Sequence, residues 1–254
     1  MAGPGPLARL TNCLPEEIRR GQMPVKTAEL APAAKQLAGS SFGALWELID
    51  PKDRPALRFS DGRGQFISYR NLHDFVRAFR LPSAVTSCRE RPVVCVALPN
   101  GPLLAAVCLA VATYYVAAPI NPAVGPDQFR ADICKAGAAF IVTTASDVEA
   151  LQLGHAWVRG GGIRVLVVQL EQDMAITVRE LGENRPLTLG RGPQPRPNKL
   201  DDVSIVLFTS GTTGTKKVVP LLMHSLLAGA AEVIGSWALT DRDTCLNMMP
   251  LYHM

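Results

Sequence analysis

"PVVCVALPNGPLLAAVCLAVATYYVAAP", residues 92–119, changes character twice in a short span. "VVCVAL" is a continuous apolar run rich in β-branched residues, the pattern of a strand buried on both faces. "PNG" is a turn signal, and Pro102 then stands at the first position of a helix, "PLLAAVCLAVA", where its missing N–H costs nothing. "YYVAA" reads as a second strand. Two strands joined by one helix pair in parallel, because only a crossover of this length lets the chain return in the same direction. The apolar run Leu103 to Ala118 is broken by Thr113 and closed by Pro119, short of the roughly 20 residues that cross a bilayer. It is a buried helix running into a strand, and no membrane span is predicted.

The same alternation continues toward the C-terminus. Pro126 opens the helix "PDQFRADICKA", Gly137 closes it, and "AAFIVTT" is a third strand. A helix at about 146–158 and the strand "IRVLVVQ" complete the series. On the N-terminal side, Phe42, Leu45, Trp46 and Ile49 recur at the spacing of one helical face, which Pro51 stops. "PALRFSD" and "QFISY" flank the turn residues Asp61 to Gly64 and predict a hairpin. Ser68 caps a helix with Leu72, Phe75, Val76 and Phe79 inside, ended by Pro82. The expected fold class is α/β: a mostly parallel, doubly wound sheet with helices on both faces and right-handed crossovers.

Composition agrees. Apolar residues make up 48% and charged residues 19% of 254 positions, which suits a globular chain with a sizeable core. The formal charge of +4 is spread along the sequence, so no nucleic-acid partner is predicted, whereas a small anionic ligand fits. Six cysteines without a CxxC pair, three of them (Cys95, Cys108, Cys134) inside apolar segments, read as buried small hydrophobes in a reducing compartment. Neither they nor the four dispersed histidines form a metal-ligand pattern, so no metal ligands are assigned. Residues 1–40 hold five prolines and are expected to be a loosely ordered extension. Residues 41–181 form a first α/β subdomain, the Pro/Gly-rich stretch 182–199 a linker, and residues 200–254 the start of a second subdomain.

Beyond the linker, "DVSIVLF" is a strand and "KVVPLL" is strand-like. Between them lies "TSGTTGTKK", residues 209–217. Gly211 and Gly214 admit positive φ and close backbone approach, while Thr209, Ser210, Thr212, Thr213 and Thr215 supply hydroxyls and Lys216 and Lys217 supply charge. Such a set suits polyphosphate oxygens, which are anionic and accept several hydrogen bonds at once. A polar turn between two strands is the plain alternative. The nucleoside-triphosphatase loop GxxxxGK[ST] is excluded, since Lys216 stands where its second glycine belongs and a strand follows in place of a helix. GxGxxG is absent after "VVCVAL", and no GxSxG elbow surrounds Ser210.

The segment "TSGTTGTKK" resembles the phosphate-loop signature of the adenylate-forming superfamily, which includes acyl-CoA synthetases and nonribosomal peptide synthetase adenylation domains. "PALRFSD…QFISYRNL", "VALPNGP", "AAPINPAV" and "MMPLYHM" are similar to further segments of that family in order and spacing. The resemblance spans roughly residues 40–254. It implies the N-terminal part of the large domain, incomplete at its C-terminal side, in an enzyme that joins a carboxylate to ATP with Mg2+ and passes the acyl group to coenzyme A or a carrier-protein phosphopantetheine thiol. By that resemblance Thr209, Ser210, Gly211, Thr212, Thr213, Gly214 and Lys217 hold the phosphates, Lys217 is the catalytic cation, and Tyr252 and His253 border the acyl pocket. Lys216 and Val218 depart from the family's proline and glycine. Either lysine can then reach phosphate, with alignment favouring Lys217. His224 is expected to be a cap or a hydrogen-bonded structural residue, and the face Leu226, Leu227, Ala230, Val233, Ile234 and Trp237 to be plain core. The family's downstream adenine, ribose and late-lysine segments have no counterpart here, so the chain by itself is expected to be inactive. The alternative is a non-catalytic remnant that binds phosphates or a partner. Location is expected to be cytoplasmic, with the peroxisome as the other option.

Overall fold

The computed structural model describes residues 43–82, 91–183, 186–187, 195–209 and 216–252. The expected N-terminal extension lies outside them. Strands β1 (Pro55–Arg58) and β2 (Phe66–Ser68) pair antiparallel as the predicted hairpin. Ser68 then caps α1 (Tyr69–Ala78), its Oγ accepting the Asn71 N–H at 3.0 Å. The central unit follows: β3 (Val93–Ala97), α2 (Pro102–Tyr114), β4 (Val116–Pro119), α3 (Pro126–Ala136), β5 (Phe140–Thr143), α4 (Ala145–Ala150), α5 (Ala156–Gly160) and β6 (Arg164–Leu170). The last elements are β7 (Ile176–Glu180), β8 (Val203–Thr209), β9 (Lys217–Leu222) and α6 (Met223–Ser236).

Seven strands form one sheet in the order β7-β6-β5-β3-β4-β8-β9. The inner five are parallel, while β7 and β9 close the two edges antiparallel. Strand β3 lies in the middle and every residue of it is buried. Alternation divides its side chains. Val94 and Val96 pack with Leu104, Val107 and Val111 of α2 and with Phe75 and Val76 of α1. Val93, Cys95 and Ala97 pack with Phe129 and Ile133 of α3 and with Val158 of α5. Helices therefore cover both faces, as the apolar runs predict. Gly137 ends α3 in the left-handed region (φ 63°, ψ 35°), where it donates to the Cys134 carbonyl at 3.2 Å.

Several expectations are corrected. The predicted helix around Trp46 is a single 3-10 turn, Leu45–Leu48, while Phe42 lies outside the described residues. The helix expected at 146–158 is two short ones, because Gln152 takes φ 55° and breaks the run between them. Strand β7 was not predicted. Its hairpin with β6 turns through Asp173 and Met174, with Met174 at φ 62° and Asp173 Oδ1 accepting the Ala175 N–H at 3.0 Å, so no glycine or asparagine marks it. Cys95 is buried, but Cys134 on α3 is exposed.

The stretch read as a linker is attached at its far end. Asn198 is buried, donates Nδ2 to the carbonyls of Ala112 at 2.7 Å and Tyr115 at 2.8 Å, and sends its N–H to Thr113 O at 2.7 Å. Arg91 reaches the carbonyls of Tyr114 and Pro197 and pairs with Asp202 at 3.1 Å. These contacts lay β8 beside β4, with Ala117 opposite Ile205, so residues on both sides of the linker share one sheet.

Candidate functional site

Strands β3, β4 and β8 run the same way, and their carboxyl ends lie along one edge of the sheet. In open α/β sheets that edge is where ligands bind. Strand β8 ends there at Thr209 and β9 begins at Lys217, the two residues being partners in the ladder. The Lys217 N–H donates to Thr209 Oγ1 at 3.3 Å. The hydroxyl-rich segment therefore leaves and rejoins the sheet at one point. Ser210, Gly211, Thr212, Thr213 and Gly214, all predicted phosphate contacts, lie outside the described residues, as does His253.

The two lysines differ sharply. Lys217 is exposed. Lys216 is spoken for: its ammonium lies 2.6 Å from Asp132 Oδ2, on a carboxylate side chain only 4% exposed. Asp132 also accepts from Gln128 Nε2 at 2.8 Å, and the Lys216 carbonyl accepts from Lys135 Nζ. All three partners come from α3. A carboxylate this deep demands a cation, because an unpaired buried charge is costly.

The segment with Tyr252 reaches the same edge. The Leu251 N–H donates to Asn100 Oδ1 at 3.0 Å, in the turn that follows β3, and Leu251 and Tyr252 pack against the core that includes α1 and α2 residues. His224 does not cap α6. Leu222 is the N-cap, the His224 N–H donates to Leu200 O at 2.9 Å, and its Nε2 is buried with no hydrogen-bond partner among the described residues. The α6 face expected to be core is largely open: Leu227 is buried with Met223 and Ala231, whereas Ala230, Val233, Ile234 and Trp237 are exposed. Among the described residues no group of three His, Cys, Asp or Glu side chains is placed to hold a metal ion.

Sequence reasoning missed Asp132 and Asn100. A signal for Asp132 exists in "PDQFRADICKA", where it falls on the same helical stripe as the buried Phe129, Ile133 and Ala136. A carboxylate on an apolar stripe asks for a partner.

Comparison with known proteins gives a coherent set. The family model for AMP-binding enzymes matches residues 49–254. A sulfoacetate–CoA ligase of Cupriavidus necator is 30% identical over 203 residues, covering 80% of this chain and 38% of the ligase. An oxalate–CoA ligase of Arabidopsis thaliana is 25% identical over 206 residues, with the same coverage of 80% and 38%. Among solved structures, ATP-bound MatB from Rhodopseudomonas palustris superposes with a TM-score of 0.60 at 21% identity, covering 84% of this chain and 41% of that one. O-succinylbenzoate coenzyme A synthetase (MenE) from Bacillus subtilis, in complex with AMP, gives 0.59 at 17% identity, covering 82% and 49%. The chain thus spans about two fifths of the length of the curated ligases it matches.

Proposed function

Because this chain belongs to the AMP-binding enzyme family, we propose that it supplies the phosphate-holding part of an ATP-dependent carboxylate–CoA ligase. The observation that carries the reading is the segment at 209–217, rich in hydroxyls and glycine, which starts and ends on paired strand residues and leaves Lys217 exposed at the carboxyl edge. The relatives' names support carboxylate and coenzyme A as the two substrates. ATP fits the donor set: Thr209, Ser210, Gly211, Thr212, Thr213 and Gly214 offer hydroxyl and backbone donors to phosphate oxygens, and Lys217 an exposed cation. Mg2+ would neutralise part of the charge on the same phosphates.

In the reaction a carboxylate oxygen bonds to the α-phosphorus of ATP while the bond from that phosphorus to the β-phosphate bridge breaks. The acyl-adenylate remains and pyrophosphate leaves. A thiol then takes the acyl group and AMP departs with the bonding pair. Negative charge accumulates on pyrophosphate in the first step, so the ammonium of Lys217 stabilises the transition state more than bound ATP. Tyr252, next to the Asn100-held Leu251, borders the acyl group in this reading, and His253 does so by the family resemblance. A carrier-protein thiol is the alternative acceptor.

The chain alone binds the phosphates without completing the reaction, a reading supported by its share of the relatives' length and by the open apolar face of α6. Calorimetric titration of the chain with magnesium pyrophosphate is expected to show saturable binding. Lys217→Ala weakens it by about tenfold or more, the worth of a charge-assisted contact. Absence of binding defeats the phosphate reading, and exchange of labelled pyrophosphate into ATP by this chain alone defeats the claim of inactivity.

A further inference from the structure

Lys216 and Lys217 stand side by side in a segment whose business is anions, yet one helix holds the first of them at both ends. Asp132 Oδ2 takes its ammonium at 2.6 Å and Lys135 takes its carbonyl, while Gln128 occupies the other carboxylate oxygen at 2.8 Å. Asp132 lies 84 positions upstream, so the contact is a tertiary tie between α3 and the start of β9. We propose that Lys216 is a positioning residue, not a phosphate ligand: its pair with Asp132 fixes the point where the segment rejoins the sheet and leaves Lys217 as the cation that meets phosphate. This rests on the reading of residues 209–217 as a phosphate segment.

The physical case is one of competition. A phosphate that recruited Lys216 would strip Asp132 of its cation and leave a carboxylate 4% exposed without a counter-charge. Among the described residues Lys217 has no such obligation: its ladder partner Thr209 takes its backbone N–H, and its side chain is exposed. Lysine at 216 thus adds a charge to the segment without adding a ligand.

Site-resolved acylation of lysines in the folded chain, read by mass spectrometry with and without magnesium pyrophosphate, tests this. Without pyrophosphate, Lys216 reacts about tenfold more slowly than Lys217, and Asp132→Asn raises its rate to near that of Lys217. Pyrophosphate slows Lys217 and leaves Lys216 unchanged. Equal rates in the unliganded chain, or protection of Lys216 by pyrophosphate, overturn the proposal. If pyrophosphate protects neither lysine, the phosphate reading fails, and that failure is distinct because the anchoring is scored without ligand. Should Asp132→Asn not fold, the paired replacement Asp132→Leu with Lys216→Met, which swaps a buried ion pair for packed apolar groups, keeps pyrophosphate affinity within about threefold. A tenfold loss there makes the Lys216 charge a ligand and overturns the proposal.

Discussion

The sheet around β3 and the stretch from β9 to Tyr252 obey opposite rules of burial. In the first, Val94, Cys95, Val96, Leu104, Phe129, Phe140, Ile141 and Leu166 are wholly enclosed, and helices cover both faces. In the second, Trp237 is 68% exposed, Leu246 78% and Met248 82%, with Val233, Ile234 and Met249 also open. The stabilising apolar area is concentrated in the β3–β6 unit, while the stretch that carries Lys217 and Tyr252 is joined to it by the polar ties of Lys216 to Asp132 and Leu251 to Asn100, and by the packing of Met223, Leu227, Leu251 and Tyr252 on the core. An open apolar helix face such as that of Val233, Ile234 and Trp237 marks a surface for burial against other protein or a liability to aggregate.

The contrast can be broken most directly by truncation. Phe140→Ala is expected to destabilise the chain by about 3–5 kcal/mol in denaturant unfolding, since it empties a filled site under the sheet. Trp237→Ala should stay within about 0.5 kcal/mol, as for other exposed positions. A large loss at Trp237 would show that its face is covered after all.

Thiol chemistry sharpens the same contrast. Burial pushes the Cys108 thiol up to about 12 and holds Cys95 well above its ordinary value, with Cys108 and Asp132 adding to the shift at Cys95. Cys134 and Cys245 are exposed. A thiol reagent at neutral pH should label the exposed pair quickly, the half-buried Cys108 slowly and the buried Cys95 only on unfolding. The sign of the pH dependence follows: unfolded thiols ionise from about 9, the native ones do not, so the native state binds more protons and stability falls as pH rises from 9 toward 12. Rapid labelling of Cys95 in the native chain would deny the sealed interior.

A local effect is expected at the tie between the regions. Asn100→Ala removes the acceptor for the Leu251 N–H and should cost about 0.5–1.5 kcal/mol or less. Its signature is faster amide exchange at Leu251 with no change at Val94 or Ile141. If exchange at Leu251 is unaltered, Asn100 does not hold that segment.

The order of elements was legible because it depends on local signals: Pro102 and Pro126 at helix starts, Gly137 at a helix end, Ser68 at a cap, and unbroken apolar strands between them. Strand β7 was not, since its turn relies on a methionine in the left-handed region, for which no sequence rule looks. The openness of α6 was also hidden. Periodicity reports which face is apolar and says nothing of whether anything within the same chain lies against it. At the candidate site, the hydroxyls, glycines and two lysines of "TSGTTGTKK" stand in the sequence, but the pairing of Lys216 with a carboxylate of another helix does not, because only the fold brings Asp132 near.

Asn198 has one further consequence. By satisfying carbonyls at the end of α2 with its amide, it makes a helix terminus the template on which the chain is seated before β8 begins. The place where β8 begins, and with it the start of the hydroxyl-rich stretch that follows, is thereby set by α2 and not by the length or composition of the proline-rich stretch upstream.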